Sequence, residues 1–267
     1  MNRRRPLTPS TGLRPGRWAL AGALAGGLIT AIVFAPAHWL ADRLARASEG
    51  RVQLLEARGT VWTGSARLAL TGGSGSVDRT SLPGRVSWRL RPAPGGLDLQ
   101  LAAPCCTQGT PWQLALRLGW NGPRLSLADQ QSVWPAALLA GLGTPWNTVG
   151  AEGRLQLRTQ GLHLARVGSA WQLDGQLELD AQGISSRLST LRPMGSYRLT
   201  LAGGASSTLT LATLEGALQM QGSGQWVGGR LRFQGVATAA PPHEAALANL
   251  LNILGRRDGA RSLISVG

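Results

Sequence analysis

Apolar and polar residues alternate along most of the chain after Arg51. In Val86-Ser87-Trp88-Arg89-Leu90, the apolar side chains fall on one side of an extended backbone and the polar ones on the other. A period of two residues is typical of β-strands that bury one face. The same alternation recurs in segments that begin at Leu97, Trp112, Trp171, Tyr197, Leu209 and Leu231. The pattern predicts a mainly β protein.

The connections between these segments are short and contain Gly-Gly, Gly-Ser or Asn-Gly-Pro. Short turns favour antiparallel pairing, because parallel strands need a crossover of about a dozen residues. A Gly-x-Leu-x-[Leu/Met/Phe] pattern begins at Gly153, Gly175, Gly216 and Gly229. Its irregular spacing favours a meander of similar hairpins over a solenoid with a fixed period. We therefore predict a twisted antiparallel sheet over residues 51–235, open or partly closed.

Two segments depart from the alternation. Residues 242–254 begin with a proline, end before Gly255 and carry leucines at helical spacing, which predicts a short C-terminal amphipathic helix on the apolar face or end of the sheet. Those leucines are Leu247, Leu250, Leu251 and Leu254. Residues 133–142, with Pro135 near the start, predict a second short helix that divides the strands into two groups.

One confident helix is too small to cover the predicted sheet. A twelve-residue helix spans about 18 Å, whereas eight strands extend over about 34 Å. Either the sheet curls on itself to close a core, or its apolar face is an open groove for lipid. Leu157 shares its predicted face with Leu155. Leu157→Arg is therefore expected to expel lipid from a groove but to unfold a closed core.

Ten tryptophans are distributed over the chain, most of them in strand patterns or beside turns. We expect five of them to pack in the core or on a sheet face. These are Trp62, Trp88, Trp112, Trp171 and Trp226. A lipid-facing position is the alternative for this group.

The N-terminal part has a different pattern. Residues 1–17 contain five arginines and no acid, and residues 18–41 carry no charged side chain. Such a run fits a hydrocarbon core of about 30 Å, and the arginine excess keeps the N-terminus cytoplasmic. We predict a cytoplasmic tail over residues 1–17, a single transmembrane anchor in the inner membrane over 18–40 and a periplasmic β-rich domain over 41–267. A cleaved signal peptide is the alternative, because Ala35-Pro36-Ala37 has the small-x-small pattern, but the apolar run exceeds the usual length.

Charge limits the possible partners. All 27 basic side chains are arginine, and they outnumber 13 acidic residues to give a net charge of +14. After residue 40 the only adjacent pair is Arg256-Arg257, and no basic stripe interleaved with aromatic residues indicates a nucleic-acid partner. The surplus suits anionic lipid or an acidic protein surface.

No residue is assigned to catalysis, to a cofactor or to a metal. The sequence contains no nucleophile elbow, phosphate-binding loop or His-Glu-x-x-His motif. His38, His163 and His243 lack a carboxylate or cysteine at ligand spacing, and each is expected to be solvated or interfacial. Cys105 and Cys106 could form an intermolecular or redox-sensitive link, or be a loop feature without function, since adjacent cysteines close a strained ring. We expect a protein that is not an enzyme.

Six stretches in fixed order carry a family resemblance. They are residues 35–40 (APAHWL), 51–66 (including GTVWTGSA), 82–88 (LPGRVSW), 142–148 (LGTPWNT), 191–197 (LRPMGSY) and 224–233 (GQW to GRLRF), the last followed by the helix region 244–259. From about residue 18 to its end, the chain resembles the type II secretion system protein N family of the Gram-negative inner membrane. The Gly-Thr-Val-Trp-x-Gly motif is weak alone, whereas the ordered series is specific.

The resemblance implies a bitopic, non-catalytic component that assists assembly or operation of the machinery exporting folded proteins across the outer membrane. The implied partners are other components of that system: the inner-membrane platform and, in addition, the secretin or the pseudopilus. Inner-membrane lipid is the other expected partner. The family is itself similar to AsmA-like β-sheet proteins, some of which are linked to lipid movement. A periplasmic lipid-binding or lipid-transfer sheet protein is therefore the alternative function.

Overall fold

Two helices precede the sheet in the computed structural model, which describes residues 15–267 except residues 74, 121 and 169. They are α1 (Pro15–Val33) and α2 (Ala37–Ala47). The large apolar side chains of α1 are exposed, among them Trp18, Leu20, Leu24, Leu28, Ile29, Ile32 and Val33. Within the described residues, no helix combines the length and the apolar character needed to cross a membrane. Most of the predicted basic tail, residues 1–14, lies outside the described residues.

The segment 18–40, predicted as one anchor, is divided between these helices. Helix α1 ends at Val33, and Pro36, whose backbone cannot donate a hydrogen bond, forms an isolated β-bridge with Thr60. Ala37 of α2 is buried against the sheet. Residues 35–40 therefore lie at the sheet rather than in α1.

The strands belong to a single sheet of sixteen strands in the described part of the chain. The first eight are β1 (Val52–Gly59), β2 (Thr63–Thr71), β3 (Arg79–Ser81), β4 (Val86–Ala93), β5 (Gly96–Ala102), β6 (Trp112–Gly119), β7 (Gly122–Leu127) and β8 (Gln130–Pro135). The others are β9 (Glu152–Val167), β10 (Ala170–Ser185), β11 (Gly195–Ala202), β12 (Thr208–Gly216), β13 (Leu218–Val227), β14 (Arg230–Ala239), β15 (Arg256–Asp258) and β16 (Arg261–Val266). Two helical segments lie between β8 and β9, a 3₁₀-helix (Ala136–Leu142) and α3 (Trp146–Val149). Two more lie between β14 and β15, a 3₁₀-turn (Pro241–His243) and α4 (Glu244–Leu254).

All strand pairs in the described residues are antiparallel, and most join strands that are consecutive in the chain. The order is β1-β2-β4-β5-β6-β7-β9-β10-β11-β12-β13-β14-β16-β15, with β3 added to β2 and β8 added to β9. Strand β9 pairs with β8 along its first half and with β7 along its second half. Strands β1 and β15 end the order, so the sheet is not closed. The predicted mainly β, antiparallel sheet with a short C-terminal helix is confirmed.

One face of the sheet, here called the inner face, is covered at three places by helical elements. Helix α2 places Ala37 beside Ala66 and Trp88, and the 3₁₀-helix places Leu138 beside Val86. Helix α4 covers the third and largest cluster. The sequence predicts only one helix, over residues 242–254, that covers this face. Because α2 and the 3₁₀-helix bury two further clusters, much of the apolar face is covered without closure of the sheet, and the part near the hairpin turns of Trp171 and Trp226 is not.

The structure differs from the prediction in two segments. The helix expected over residues 133–142 begins only at Ala136, because β8 continues to Pro135, which pairs with Arg154 at the end of the strand. Residues 256–266 form β15 and β16, beyond the predicted limit of the sheet at residue 235. In β16 the buried Ser262 is followed by half-buried Leu263 and Ile264, so the segment lacks the alternation that marks a strand in the sequence.

Candidate functional site: an apolar cavity beneath the C-terminal helix

Helix α4 positions one wall of the site. Leu247, Leu250 and Leu251 are almost completely buried, as their helical spacing predicts, and they fix the helix to the inner face. Glu244 lies in the first turn, where a negative charge complements the helix dipole. Ile253 and Leu254 then face a cavity between the helix and the sheet.

The cavity has a volume of about 400 Å³, within the range of small-molecule sites. Its lining is almost wholly apolar. The sheet contributes Leu155, Leu179, Ala181, Ile184, Tyr197, Leu199, Leu211, Leu218, Met220, Phe233 and Ile264. The helical elements and their connections contribute Leu139, Pro145, Trp146, Val149, Leu250, Ile253 and Leu254, and Ala151 and Met194 complete the wall. Such a lining suits an alkyl chain or a ring system.

Tyr197 of β11 places the only hydroxyl of that described lining in the cavity wall. The residue is 5% exposed, and its Oη has no hydrogen-bond partner among the described residues. Burial raises the pKa of this phenol, so the hydroxyl stays protonated and able to donate. An unpartnered buried hydroxyl costs about 1–3 kcal/mol. Tyr197 therefore contributes its ring to the wall, and its buried hydroxyl could donate to a ligand only if the ring moved.

Gly195 explains how the Tyr197 ring is accommodated. A Cβ atom built at Gly195 would lie 2.8 Å from the Tyr197 Oη. That separation is shorter than van der Waals contact, so a larger residue at position 195 would displace the ring. Because Gly195 has no side chain, the Tyr197 hydroxyl can lie over the start of its own strand.

The opposite face of the same strands carries an ion-pair ladder. Arg158 of β9 lies opposite Glu178 of β10, 2.7 Å from its carboxylate, and Asp180 lies opposite Arg198 of β11. The hydrogen bond from Arg198 is the main cause that holds the pKa of Asp180 below its ordinary value, against the opposing effect of burial. Because Leu179 lines the cavity and its neighbours point away, this ladder supports the strands behind the cavity wall.

The three histidines are not gathered at this site. His163 Nε2 lies 3.3 Å from Asp174 Oδ2 on the paired strand, and its Nδ1 lies 2.9 Å from the Gly161 carbonyl oxygen. Asp174 is eleven positions from His163 in the sequence, and strand pairing brings it opposite the histidine. His38 is exposed and His243 half-buried. Among the described residues, no group of three or more His, Cys, Asp or Glu side chains could hold a metal.

Cys105 and Cys106 are joined to each other by a disulfide bond. Cys106 is buried beside Leu82 and Val86, whereas Cys105 is exposed. Neither thiol is free for the intermolecular link considered from the sequence. The Val133 N–H donates to the Cys106 carbonyl oxygen at 2.9 Å, which ties this loop to β8.

Three of the five tryptophans predicted to pack in the core or on a sheet face are buried or half-buried, and the other two are exposed beside a groove on the sheet. Trp88 is buried, and Trp62 and Trp112 are half-buried. Trp171 is 57% exposed and Trp226 37% exposed, so neither packs in the core. Strand alternation alone cannot separate these two groups, because both exposed residues lie near hairpin turns where the inner face has no cover.

Sequence comparison covers most of the chain. A family model described as "Type II secretion system (T2SS), protein N" matches residues 50–263. No curated protein and no solved structure matches the chain. The matched range begins just before β1 and ends within β16, so it contains the cavity lining except Ile264 and excludes α1 and α2.

Proposed function

Since the chain belongs to the type II secretion system protein N family, we propose that it is a non-catalytic part of this system that assists assembly or operation of the machinery exporting folded proteins across the outer membrane. The observation that carries the proposal is the family match over residues 50–263. Its proposed partners are other components of the system, at the inner-membrane platform and at the secretin or pseudopilus.

The surface of the sheet supports an assembly role. The sheet is open, and β1 and β15 are its outermost strands. Edge strands present unpaired backbone groups to which a strand of another protein can add. The chemistry of the described site, an apolar cavity and ion pairs between strands, suits binding and packing.

We further propose that the N-terminal segment anchors the chain in the inner membrane, with residues 1–17 cytoplasmic and the sheet periplasmic. The uncharged run of residues 18–41, the preceding arginines and the exposed apolar side chains of α1 support this. A reporter active only in the periplasm, fused after Gly267, is expected to be active. A silent reporter would contradict the orientation, and a mature chain beginning at His38 would contradict the anchor.

Export by a strain that lacks this chain tests the main proposal. Under conditions that use type II secretion, we expect secreted enzymes to fold but to accumulate in the periplasm, and the full chain to restore export. Co-purification of platform or secretin components with the full chain is expected as well. Undiminished export in the deletion strain, together with the absence of these components from the purified chain, would overturn the proposal.

A second candidate function, lipid binding, is favoured by the cavity. A lipid with one acyl chain would place its alkyl part against the apolar wall, and its carbonyl or carboxylate oxygen would accept from the Tyr197 hydroxyl if the ring moved to uncover that group. Leu157, the residue considered from the sequence, is half-buried and does not belong to the cavity lining. Leu211, which does line the cavity, is the better position for a test.

A photoactivatable palmitic acid added to membranes that contain the full chain provides that test. Irradiation is expected to label cavity peptides of the natural protein. Leu211→Trp should fill the cavity and abolish the labelling, and Tyr197→Phe should weaken it. Thr210→Trp is the matched control, because Thr210 is exposed on the other face of β12. Equal labelling of the two tryptophan variants would exclude lipid in the cavity, and export assays on both variants would show whether secretion depends on it.

A further inference from the structure

Several hairpin turns lie at one end of the sheet. The register closes β6 onto β7 at Gly119 and Gly122, and β13 onto β14 at Val227 and Arg230. The turn between β9 and β10 follows residue 167. Neighbouring strands alternate in direction, so β6, β9 and β13 all run towards the same end of the sheet, and the turns that follow them lie there. Helices α3 and α4 lie at the opposite end.

Large apolar side chains are exposed at these turns. Trp120 is fully exposed, and Trp171 and Trp226 are also exposed. Together with Leu118, Val167 and Val227, which are also exposed, they form what we call the tryptophan edge. Exposed aromatic and aliphatic groups gathered in this way are typical of a contact surface.

A groove of about 530 Å³ separates two of these tryptophans. Trp171 and Trp226 line it from either side, and the shorter hairpin of β11 and β12 forms its floor with Leu201. The backbone N–H of Trp226 donates to the Ser207 carbonyl oxygen at 3.1 Å, which fixes β13 to that hairpin. Trp226 thus lies on a hydrogen-bonded strand.

The charged side chains in the four chain segments that form the tryptophan edge are all basic. Residues 118–127, 164–173, 202–208 and 226–233 contain no acidic side chain. Arg124, Arg166, Arg230 and Arg232 are exposed there, and no ion pair is found for them among the described residues. Unpaired arginines beside tryptophan are the composition that favours the interface of an anionic bilayer.

The chain enters the sheet from this same end. The Trp62 Nε1 in the turn between β1 and β2 donates to the Ile32 carbonyl oxygen of α1 at 2.8 Å. The Val61 N–H donates to the Ala35 carbonyl oxygen at 2.8 Å. Since strand pairing places the turn between β1 and β2 at the end that also carries the tryptophan edge, the exit of α1 and the exposed rings belong to one end of the topology.

We propose that the tryptophan edge lies against the anionic lipid surface of the membrane that holds α1. This inference rests on the proposed anchoring of α1 and adds a second membrane contact, made by hairpin turns. Tryptophan rings enter the headgroup layer, and the four arginines pair with lipid phosphates. An acidic protein surface would also attract these arginines, but it would not explain why the tryptophan edge and α1 lie at the same end of the sheet.

Quenching of tryptophan fluorescence in proteoliposomes tests the contact. The full chain is reconstituted in vesicles of phosphatidylcholine and phosphatidylglycerol, with and without brominated acyl chains. The variant W120F/W171F/W226F is expected to lower the bromine-dependent loss of emission about two-fold, because interfacial tryptophans lie within reach of the quencher. Trp112→Phe is the control: Trp112 begins β6, at the end of that strand away from the tryptophan edge, and does not line the cavity, so its removal should not lower the quenching.

Charge reversal provides a second, independent variant. Arg166→Glu with Arg230→Glu should reduce the quenching in phosphatidylglycerol vesicles to the level seen with phosphatidylcholine alone. Arg257→Glu, an exposed residue on β15 away from the edge, should leave it unchanged.

Flotation of the same vesicles separates this inference from the anchoring. A chain that floats with lipid, but whose quenching is unaffected by both the tryptophan and the arginine variants, would overturn the membrane contact and leave the anchor intact. A chain that fails to float would overturn the anchor, and the edge inference with it. Export assays report on the secretion role independently of both.

Discussion

Arg198 and Asp180 lie directly opposite each other on β11 and β10 and share two hydrogen bonds, Nε to Oδ1 at 2.7 Å and Nη2 to Oδ2 at 2.8 Å. The carboxylate of Asp180 is 5% exposed, whereas the Arg198 side chain is 37% exposed. A bidentate pair of this kind fixes both the distance and the register of two strands. The ion pair lies on the face of the sheet that points away from the cavity. Leu179 and Leu199, on the other face, belong to the cavity wall.

Replacement of Asp180 by Asn should destabilise the sheet. Hydrogen bonds to charged groups contribute about 1.5–3 kcal/mol, and the partial exposure of Arg198 reduces this to about 1–2 kcal/mol. Denaturant unfolding of the full chain, followed by circular dichroism, measures the loss. Asp258→Asn is the matched control, because Asp258 and Arg261 are 3.5 Å apart and both exposed, so its cost should stay below about 0.5 kcal/mol. Equal costs would show that the buried pair contributes no more than a surface pair.

The same carboxylate should make stability depend on acidity. The pKa of Asp180 is lowered in the folded state, chiefly by the hydrogen bond from Arg198, so its stabilising effect is present above the unfolded pKa of about 4 and is lost as pH falls through the lower folded value. The difference in free energy of unfolding between the natural chain and Asp180→Asn should therefore be constant from pH 8 to about pH 5. It should shrink below about pH 4. A difference that grows on acidification would contradict the assignment.

Leu250→Asp tests whether α4 is part of the folded domain. Leu250 is 2% exposed in the cluster beneath the helix. Loss of a buried leucine costs about 2–5 kcal/mol, and an unpaired carboxylate in its place adds to that, so we expect at least about 3 kcal/mol of destabilisation. Asn252→Asp places the same charge on the exposed side of the same helix and should cost about 0.5 kcal/mol or less. An unchanged melting temperature for Leu250→Asp would mean that α4 is not held against the sheet.

Local patterns predicted the elements whose side chains alternate or repeat clearly. Strand β4 and helix α4 were both evident from the spacing of apolar residues, because each buries one regular face. Strand β8 was mistaken for the start of a helix, since Pro135 is equally suited to the end of a strand and to the start of a helix. The local pattern does not show that α2 and the 3₁₀-helix cover the inner face, because this depends on how they pack against distant strands.

The candidate site was less predictable than the fold. Tyr197 stood in a predicted strand, but the absence of a hydrogen-bond partner for its hydroxyl follows from residues that approach it from other elements. The exposure of Trp171 and Trp226 depends on the inner face being uncovered near the hairpin turns. The family resemblance, by contrast, is carried by ordered short stretches, and all of them except residues 35–40 lie within the matched range 50–263.

The long hairpin of β9 and β10 depends on one glycine for one of its two changes of register. The pairing shifts between Asp174 and Gln176, and Gly175 between them has φ +87°. A Cβ atom there would collide with the carbonyl oxygen of Gly161 on the paired strand, so Gly175→Ala must both adopt an unfavourable backbone conformation and separate the strands. Gly168→Ala is the matched control: Gly168 also has positive φ, at +63°, but open space surrounds its Cβ position. We expect about 1 kcal/mol of destabilisation for Gly168→Ala and about 3 kcal/mol or more for Gly175→Ala in denaturant unfolding. Similar losses for the two variants would show that the shift of register tolerates a side chain, and that the bulge does not require glycine.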